Sequence, residues 1–163
     1  TATRPTPTLG PLDWDRLATL ADRIEQGTLT PAPATNGTAC DASAPANWGS
    51  PLEPDGPCGA YFPLIFAPGN LHMAGGAGQG ILAVAGDLQL DPGTTFYGAV
   101  LVRGRLATAP GSTLLGAVTA GTAPATLAGT ATYNACTLQR ALDGAPALGR
   151  PFRPAGRAWL PLP

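Results

Sequence analysis

One histidine, three cysteines and three serines carry most of the nucleophilic and metal-ligating capacity of this 163-residue chain. Their spacing assembles no reaction. His72 stands beside Met73 in a stretch that reads as strand, and a lone histidine on a sheet is ordinarily a surface or satisfied core residue. Zinc requires about four N or S ligands, and Cys40, Cys58, Cys136 and one distant His supply no ligand spacing. Ser43, Ser50 and Ser112 lie outside any nucleophile elbow. The run Gly75-Gly-Ala-Gly-Gln-Gly80 lacks the Lys and Ser/Thr of a phosphate loop, and no helix follows it. Asp87 and Asp91 have Arg105 and Ala109 about 18 residues on, so Asp87 with Arg105 reads as a surface ion pair of little energetic weight. No catalytic, cofactor-binding or metal-binding residue is therefore assigned, and the expected class is non-enzymatic.

The cysteines have a structural use. Cys40 and Cys58 bracket the Pro-rich loop from Asp41 to Pro57, where a disulfide would restrict the unfolded chain by about 3 kcal/mol. Three pairings are open. Cys40–Cys58 with Cys136 free is the favoured one and points to an oxidising compartment. Three reduced, buried thiols are the other reading.

Twenty-two Gly and 19 Pro in 163 residues reach the range in which aperiodic chains are disordered. The formal net charge is only −1 and all nine basic residues are Arg. Neither a charge-swollen chain nor a nucleic-acid partner is indicated. No stretch approaches the roughly 18 apolar residues of a membrane-spanning helix. The start at Thr1, without Met, reads as a processed product or a fragment.

The glycines are periodic. Gly69, Gly86, Gly104 and Gly121 follow at intervals of 17, 18 and 17, and Gly80, Gly98 and Gly116 at 18 and 18. Pro92-Gly93 and Pro110-Gly111 fall between, so a turn residue recurs about every six positions. Three six-residue sides per coil describe a short triangular β-solenoid over 62–129, mainly β in class. Positions +2 and +4 from each corner share a face. They bring Leu64 and Phe66, Leu82 and Val84, Val100 and Val102, Val118 and Ala120 inward on the first side. Leu71, Met73, Leu88, Leu90, Leu106 and Thr108 follow on the second, and Phe96 and Leu114 on the third.

The opposite phase of the first side should then face outward: Ile65, Ile81, Ala83, Ala99, Leu101 and Thr119. An outward apolar strip must be covered or serve as an interface. A cover is at hand in residues 13–26. There Trp14, Leu17, Ala21 and Ile24 recur at helical spacing, with Asp13 as N-cap and Gly27 as stop. Cover by this amphipathic helix and docking of another subunit are both open. Residues 1–61 thus comprise an extended Thr/Pro-rich arm, the helix and a Pro-rich loop pinned by Trp48 and Tyr61. Residues 130–163 comprise a helix from Tyr133 to Asp143, expected to cap the open end, and an extended tail carrying Phe152, Trp159 and Leu160.

Three segments carry a resemblance. Cys58-Gly-Ala-Tyr-Phe-Pro-Leu-Ile-Phe-Ala-Pro-Gly-Asn-Leu71, Gly78-Gln-Gly-Ile-Leu-Ala-Val-Ala-Gly-Asp-Leu88 and Phe96-Tyr-Gly-Ala-Val-Leu-Val-Arg-Gly104 resemble the C-terminal domain of PilX-type pilus-assembly proteins. Asn47-Trp-Gly-Ser-Pro51 and Cys136-Thr-Leu-Gln-Arg-Ala-Leu142 are similar to that group as well, and the likeness spans roughly residues 12–160. The coil also resembles bactofilins in repeat length. The resemblance implies a periplasmic or extracellular envelope protein, held in its parent by an upstream pilin-like membrane segment, with no catalytic residues or cofactor. The expected partners are other protein subunits of an envelope assembly. The alternatives are an accessory subunit docked on a larger membrane complex (secretory, respiratory or photosynthetic) and a carbohydrate-binding β-helix.

Overall fold

In a computed structural model, residues 13–121 and 126–148 are described; the expected arm at 1–11 lies outside them, as does all of the extended tail expected over 146–163 except residues 146–148, which form a 3-10 turn instead. The chain order is α1 (Trp14–Leu20), β1 (Arg23–Ile24), β2 (Gly27–Leu29), β3 (Thr35–Asn36), β4 (Ala39–Cys40), β5 (Leu64–Ala67), β6 (Leu71–Met73) and β7 (Ala77–Val84). It continues with β8 (Leu88–Leu90), β9 (Thr95–Val102), β10 (Leu106–Thr108), β11 (Thr113–Ala120), β12 (Thr126–Leu127), β13 (Thr130–Tyr133), α2 (Ala135–Asp143) and a 3-10 turn, Pro146–Leu148. The molecule is a β-solenoid. One parallel sheet runs β1-β5-β7-β9-β11-β13 and a second runs β12-β10-β8-β6-β2, while β3 and β4 form a separate antiparallel pair.

The long strands β7, β9 and β11 each serve two walls, turning at their fourth residue, Gly80, Gly98 or Gly116, where φ is +113°, +141° and +139° respectively. These corners stack, and a Cβ on Gly98 would overlap the carbonyl oxygen of Gly80 in the coil below. Gly is required there twice over, for its dihedral and for its missing side chain.

Inside, Ile65, Leu82, Val84, Val100 and Val102 from the first wall meet Leu71, Met73, Leu88, Leu90 and Leu106 from the second, with Phe96 and Leu114 from the third. Burying each such side chain contributes about 1.5–3 kcal/mol. The small polar residues that turn inward at the next corner are satisfied. Thr94 Oγ1 donates to Met73 O and accepts from Gly75 N, and Ser112 Oγ donates to Ala109 O.

Two expectations need correction. In the first coil, Ile65 faces the core while Leu64 and Phe66 face outward. Leu64 pairs with Ile81 and Ile65 with Leu82, a step of 17 rather than 18, because Pro63 takes the corner: its oxygen accepts from Ile81 N. One missing residue moves every side chain of a strand to the other face. The first helix also ends at Leu20, since Ala21 is already extended, with ψ 132°. Asp22 N donates to Leu64 O, Asp22 Oδ2 accepts from Leu64 N, and Glu25 N donates to Phe66 O. The otherwise unpaired edge of β5 captures this backbone as strand β1, and an edge ladder outweighs two further turns of helix. Gly27 begins β2 rather than stopping a helix.

Candidate functional site

The strip singled out from the sequence is largely buried by the chain itself. Ile81, Ala83, Ala99 and Leu101 point outward from the first wall and are covered, together with Leu64 and Phe66. Leu17 is buried over them, with Trp14, Ala18 and Ala21 alongside. Asp13 caps this helix, its Oδ1 accepting from Asp15 N and Arg16 N at 3.1 Å. Ile24 belongs to β1 and is exposed, so it takes no part in the cover. Thr119 is exposed at the margin of the strip.

The second cover is α2. Its cap is Asn134, whose Oδ1 accepts from Thr137 N at 2.9 Å. Ala141 is fully buried, with Leu138 and Leu142 beside it, against the same strip, and the Ala141 side chain abuts Gly98. The expected position over the end of the solenoid is therefore corrected: this helix folds back across the first wall. Its apolar face finds more apolar surface there than the narrow end offers.

That difference leaves the two ends of the solenoid unlike each other. The end next to β1 and β2 is plugged by the loop 30–61. Trp48 is completely buried in the core, edge-on to Phe96 at 6.3 Å, and fills the space where Gly78 has no side chain. Its indole Nε1 donates to Glu25 Oε1, which also pairs with Arg23 at 3.2 Å. Arg23 in turn donates to Ala42 O and Ala44 O at 2.6 Å. Gln79 Nε2, buried, donates to Gly59 O and Tyr61 O at 2.9 Å. Cys40 and Cys58 form a disulfide and Cys136 is free and exposed. Buried Asn47 sits against this bridge, its Nδ2 donating to Ala34 O and Asp41 O. In the loop, Ser43 hydrogen bonds hold the Asp41 carboxyl below its ordinary range.

Among the described residues, the opposite end is left open. All four residues of β13 and both of β12 are exposed, and β13 and β12 are the last strands of their sheets. Leu127 stacks on the inward-facing Thr108 yet is 51% exposed, and Tyr133 is 72% exposed beside the Gly116 corner. Val118 and Ala120 continue the core column but are only half-buried.

The second wall carries the polar groups. Thr28, His72, Gln89 and Ala107 occupy one outward column on successive strands β2, β6, β8 and β10. The His72 Nε2 lies 2.9 Å from Asp91 Oδ1 and its Nδ1 lies 3.3 Å from Thr28 Oγ1. A carboxylate only accepts, so Nε2 carries a proton towards Asp91, and Nδ1 shares a hydrogen bond with the Thr28 hydroxyl. The hydrogen bond from His72, then that from Gln89, holds the Asp91 carboxyl below its ordinary value. Along the adjoining corner Asn70, Asp87 and Arg105 stack. Asn70 Oδ1 accepts from Asp87 N at 2.9 Å and Asp87 Oδ1 from Arg105 N at 2.8 Å. The expected Asp87–Arg105 ion pair is thus replaced by a carboxylate-to-backbone bond, and among the described residues the Arg105 guanidinium is in no ion pair. Steps of 17 and 18 residues align His72, Gln89 and Ala107, a signal present in the sequence; Thr28 lies outside that period because the plug loop is inserted before β5.

Among the described residues no helix is long and apolar enough to cross a membrane. Comparison with known proteins finds no matching protein-family model, no similar curated protein and no matching solved structure.

Proposed function

We propose that the chain is a non-enzymatic structural and assembly module of the bacterial cell envelope, pilus-assembly-like, that works in the periplasm or outside the cell. The observation that carries this reading is the open end. Proteins ordinarily blunt an edge strand with charge, proline or a covering element. Here residues 106–139 contain no charged residue, and the last coil, with β12 and β13, falls inside that span. Such an edge suits a protein subunit that presents its own uncharged strand and adds to the sheet by main-chain pairing. The disulfide in the plug supports an oxidising compartment. The apolar first wall, already covered, contributes nothing to docking.

Untagged purification from the native membrane, with identification of what co-migrates, tests the reading. The wild-type chain is expected to travel with another subunit. Leu127→Asp and Thr130→Lys, both at exposed positions, are expected to release it while leaving the unfolding midpoint of the isolated domain unchanged. A wild-type chain that runs alone as a soluble monomer overturns the proposal.

A further inference from the structure

We infer that the polar cleft on the second wall is a binding site for an uncharged, hydroxyl-rich ligand, a saccharide lying along the solenoid axis. The cleft is a half-open groove of about 440 Å³, a volume in the range of small-molecule sites. Its floor is the outward column of Thr28, His72, Gln89 and Ala107. One rim is the corner stack of Asn70, Asp87 and Arg105. The small Ala107 makes room at the end where Arg105 projects, and Gly27 does the same at the Thr28 end.

The chemistry of these groups selects the ligand class. Two carboxylates near the cleft, Asp87 and Asp91, oppose an anion despite Arg105. No three His, Cys, Asp or Glu among the described residues come together in a metal-holding arrangement. An apolar ligand would leave the amides and carboxylates without partners, at about 1–3 kcal/mol for each group desolvated. Sugar hydroxyls both donate and accept. Among the described residues each carboxylate spends one oxygen inside the protein and keeps the second for a donor: Asp87 Oδ1 is held by Arg105 N, and Asp91 Oδ1 by His72 and Gln89. The guanidinium of Arg105 and the Nδ2 of Asn70, which has no partner among the described residues while Oδ1 is engaged, supply donors. Successive strands repeat these groups about every 4.8 Å, close to the advance of one sugar residue in an extended glycan. The His72 ring is pinned by Thr28 and Asp91, so the floor is set before a ligand arrives and less ordering is lost on binding.

The test uses the folded domain and follows backbone and side-chain amide resonances during titration with cellotetraose and chitotetraose, and separately with polygalacturonate and inorganic phosphate. The expected result is saturable shifts confined to residues 27–28, 70–72, 87–91 and 105–107 with a neutral oligosaccharide, at a dissociation constant of about 1 mM or tighter. Gln89→Ala and Arg105→Ala, both at exposed positions, should each weaken binding about tenfold, with unfolding midpoints unchanged. Leu127→Asp at the open end should leave it intact, so failure of this site and failure of the assembly reading are told apart. Absence of shifts with both neutral oligosaccharides, shifts elsewhere on the molecule, or binding only of phosphate or polygalacturonate overturns the inference.

Discussion

Replacing Gly98 by Ala tests the physical reason for the solenoid's corners, with Gly93→Ala as its partner. Both glycines have positive φ, +141° at Gly98 and +79° at Gly93. Both variants therefore carry conformational strain of about 1–3 kcal/mol. The surroundings differ. A Cβ on Gly93 would meet nothing within 4 Å, whereas one on Gly98 would overlap the Gly80 carbonyl and lie 3.1 Å from the Ala141 side chain of α2. Backbone cannot swing aside as a flexible side chain can. Relief requires local separation of two coils held about 4.8 Å apart by their ladder. Losing two or three ladder hydrogen bonds adds about 1 kcal/mol each, and lifting α2 exposes part of its apolar face. The sum is about 4–6 kcal/mol for Gly98→Ala, a large share of a typical domain's 5–15 kcal/mol. Urea unfolding followed by far-UV circular dichroism measures both. Near-equal losses would refute the argument, because dihedral strain alone would then account for the corners and coil-to-coil contact would not matter.

Reducing the Cys40–Cys58 bond should lower stability by about 3 kcal/mol, read as a drop in melting temperature with dithiothreitol; before reduction, a thiol reagent should modify Cys136 alone. Val100→Asp puts a charge at a core position that is 1% exposed and should abolish folding. Thr119→Asp, on an exposed residue of the next coil, should shift the urea midpoint by no more than about 0.5 kcal/mol equivalent, and equal effects would mean the two faces have been exchanged. The Asp91 carboxyl is held below its ordinary 3.8 by hydrogen bonds from His72 and Gln89. A depressed carboxylate contributes stability that is present above that ordinary value and lost as pH falls through the lower folded one. Asp91→Asn should therefore flatten the acid limb of stability against pH below about 4, and an unchanged limb would show that the His72–Asp91 contact is not held in solution.

The middle coils were legible because each declares itself locally. Gly80, Gly98 and Gly116 repeat at the same step, and the alternation around Leu82, Val100 and Val118 follows from them. The first coil was not, because its corner falls on Pro63, one residue later than the 18-residue period places it, so the step to the next coil is one residue shorter. Strands β1 and β2 were hidden for a different reason. Two- and three-residue strands have no pattern of their own, and only the distant edges of β5 and β6 make them strands. The same spacing of Trp14, Leu17, Ala21 and Ile24 that correctly announced a covering helix also ran past its true end. In the cleft, the stacking of His72 on Gln89 was encoded in the period. Thr28 was separated from them by the inserted plug loop, so the grouping that orients the imidazole could be read only from the fold.

The unlike ends follow from one choice in the chain: where each flanking segment spends its apolar surface. Trp48 is spent inside the solenoid, and the disulfide and the Arg23 bridge fix the loop that delivers it, so further coils cannot stack on that end without expelling the plug. At the other end the available amphipathic segment, α2, lies on the first wall, where Ile81, Ala83, Ala99 and Leu101 offer a continuous apolar surface. In a solenoid each coil is supported by its neighbours alone, so among the described residues the coil of β12 and β13 has support from one side and is the least stabilised part of the solenoid. A partner strand added there would supply the missing neighbour, and the coil would gain most from it because it has least to begin with. The plugged end, tied by charged and disulfide contacts, has no comparable deficit. An assembly of the kind proposed would therefore grow from the uncharged end rather than the plugged one, and among the described residues the polar second wall stays uncovered beside it.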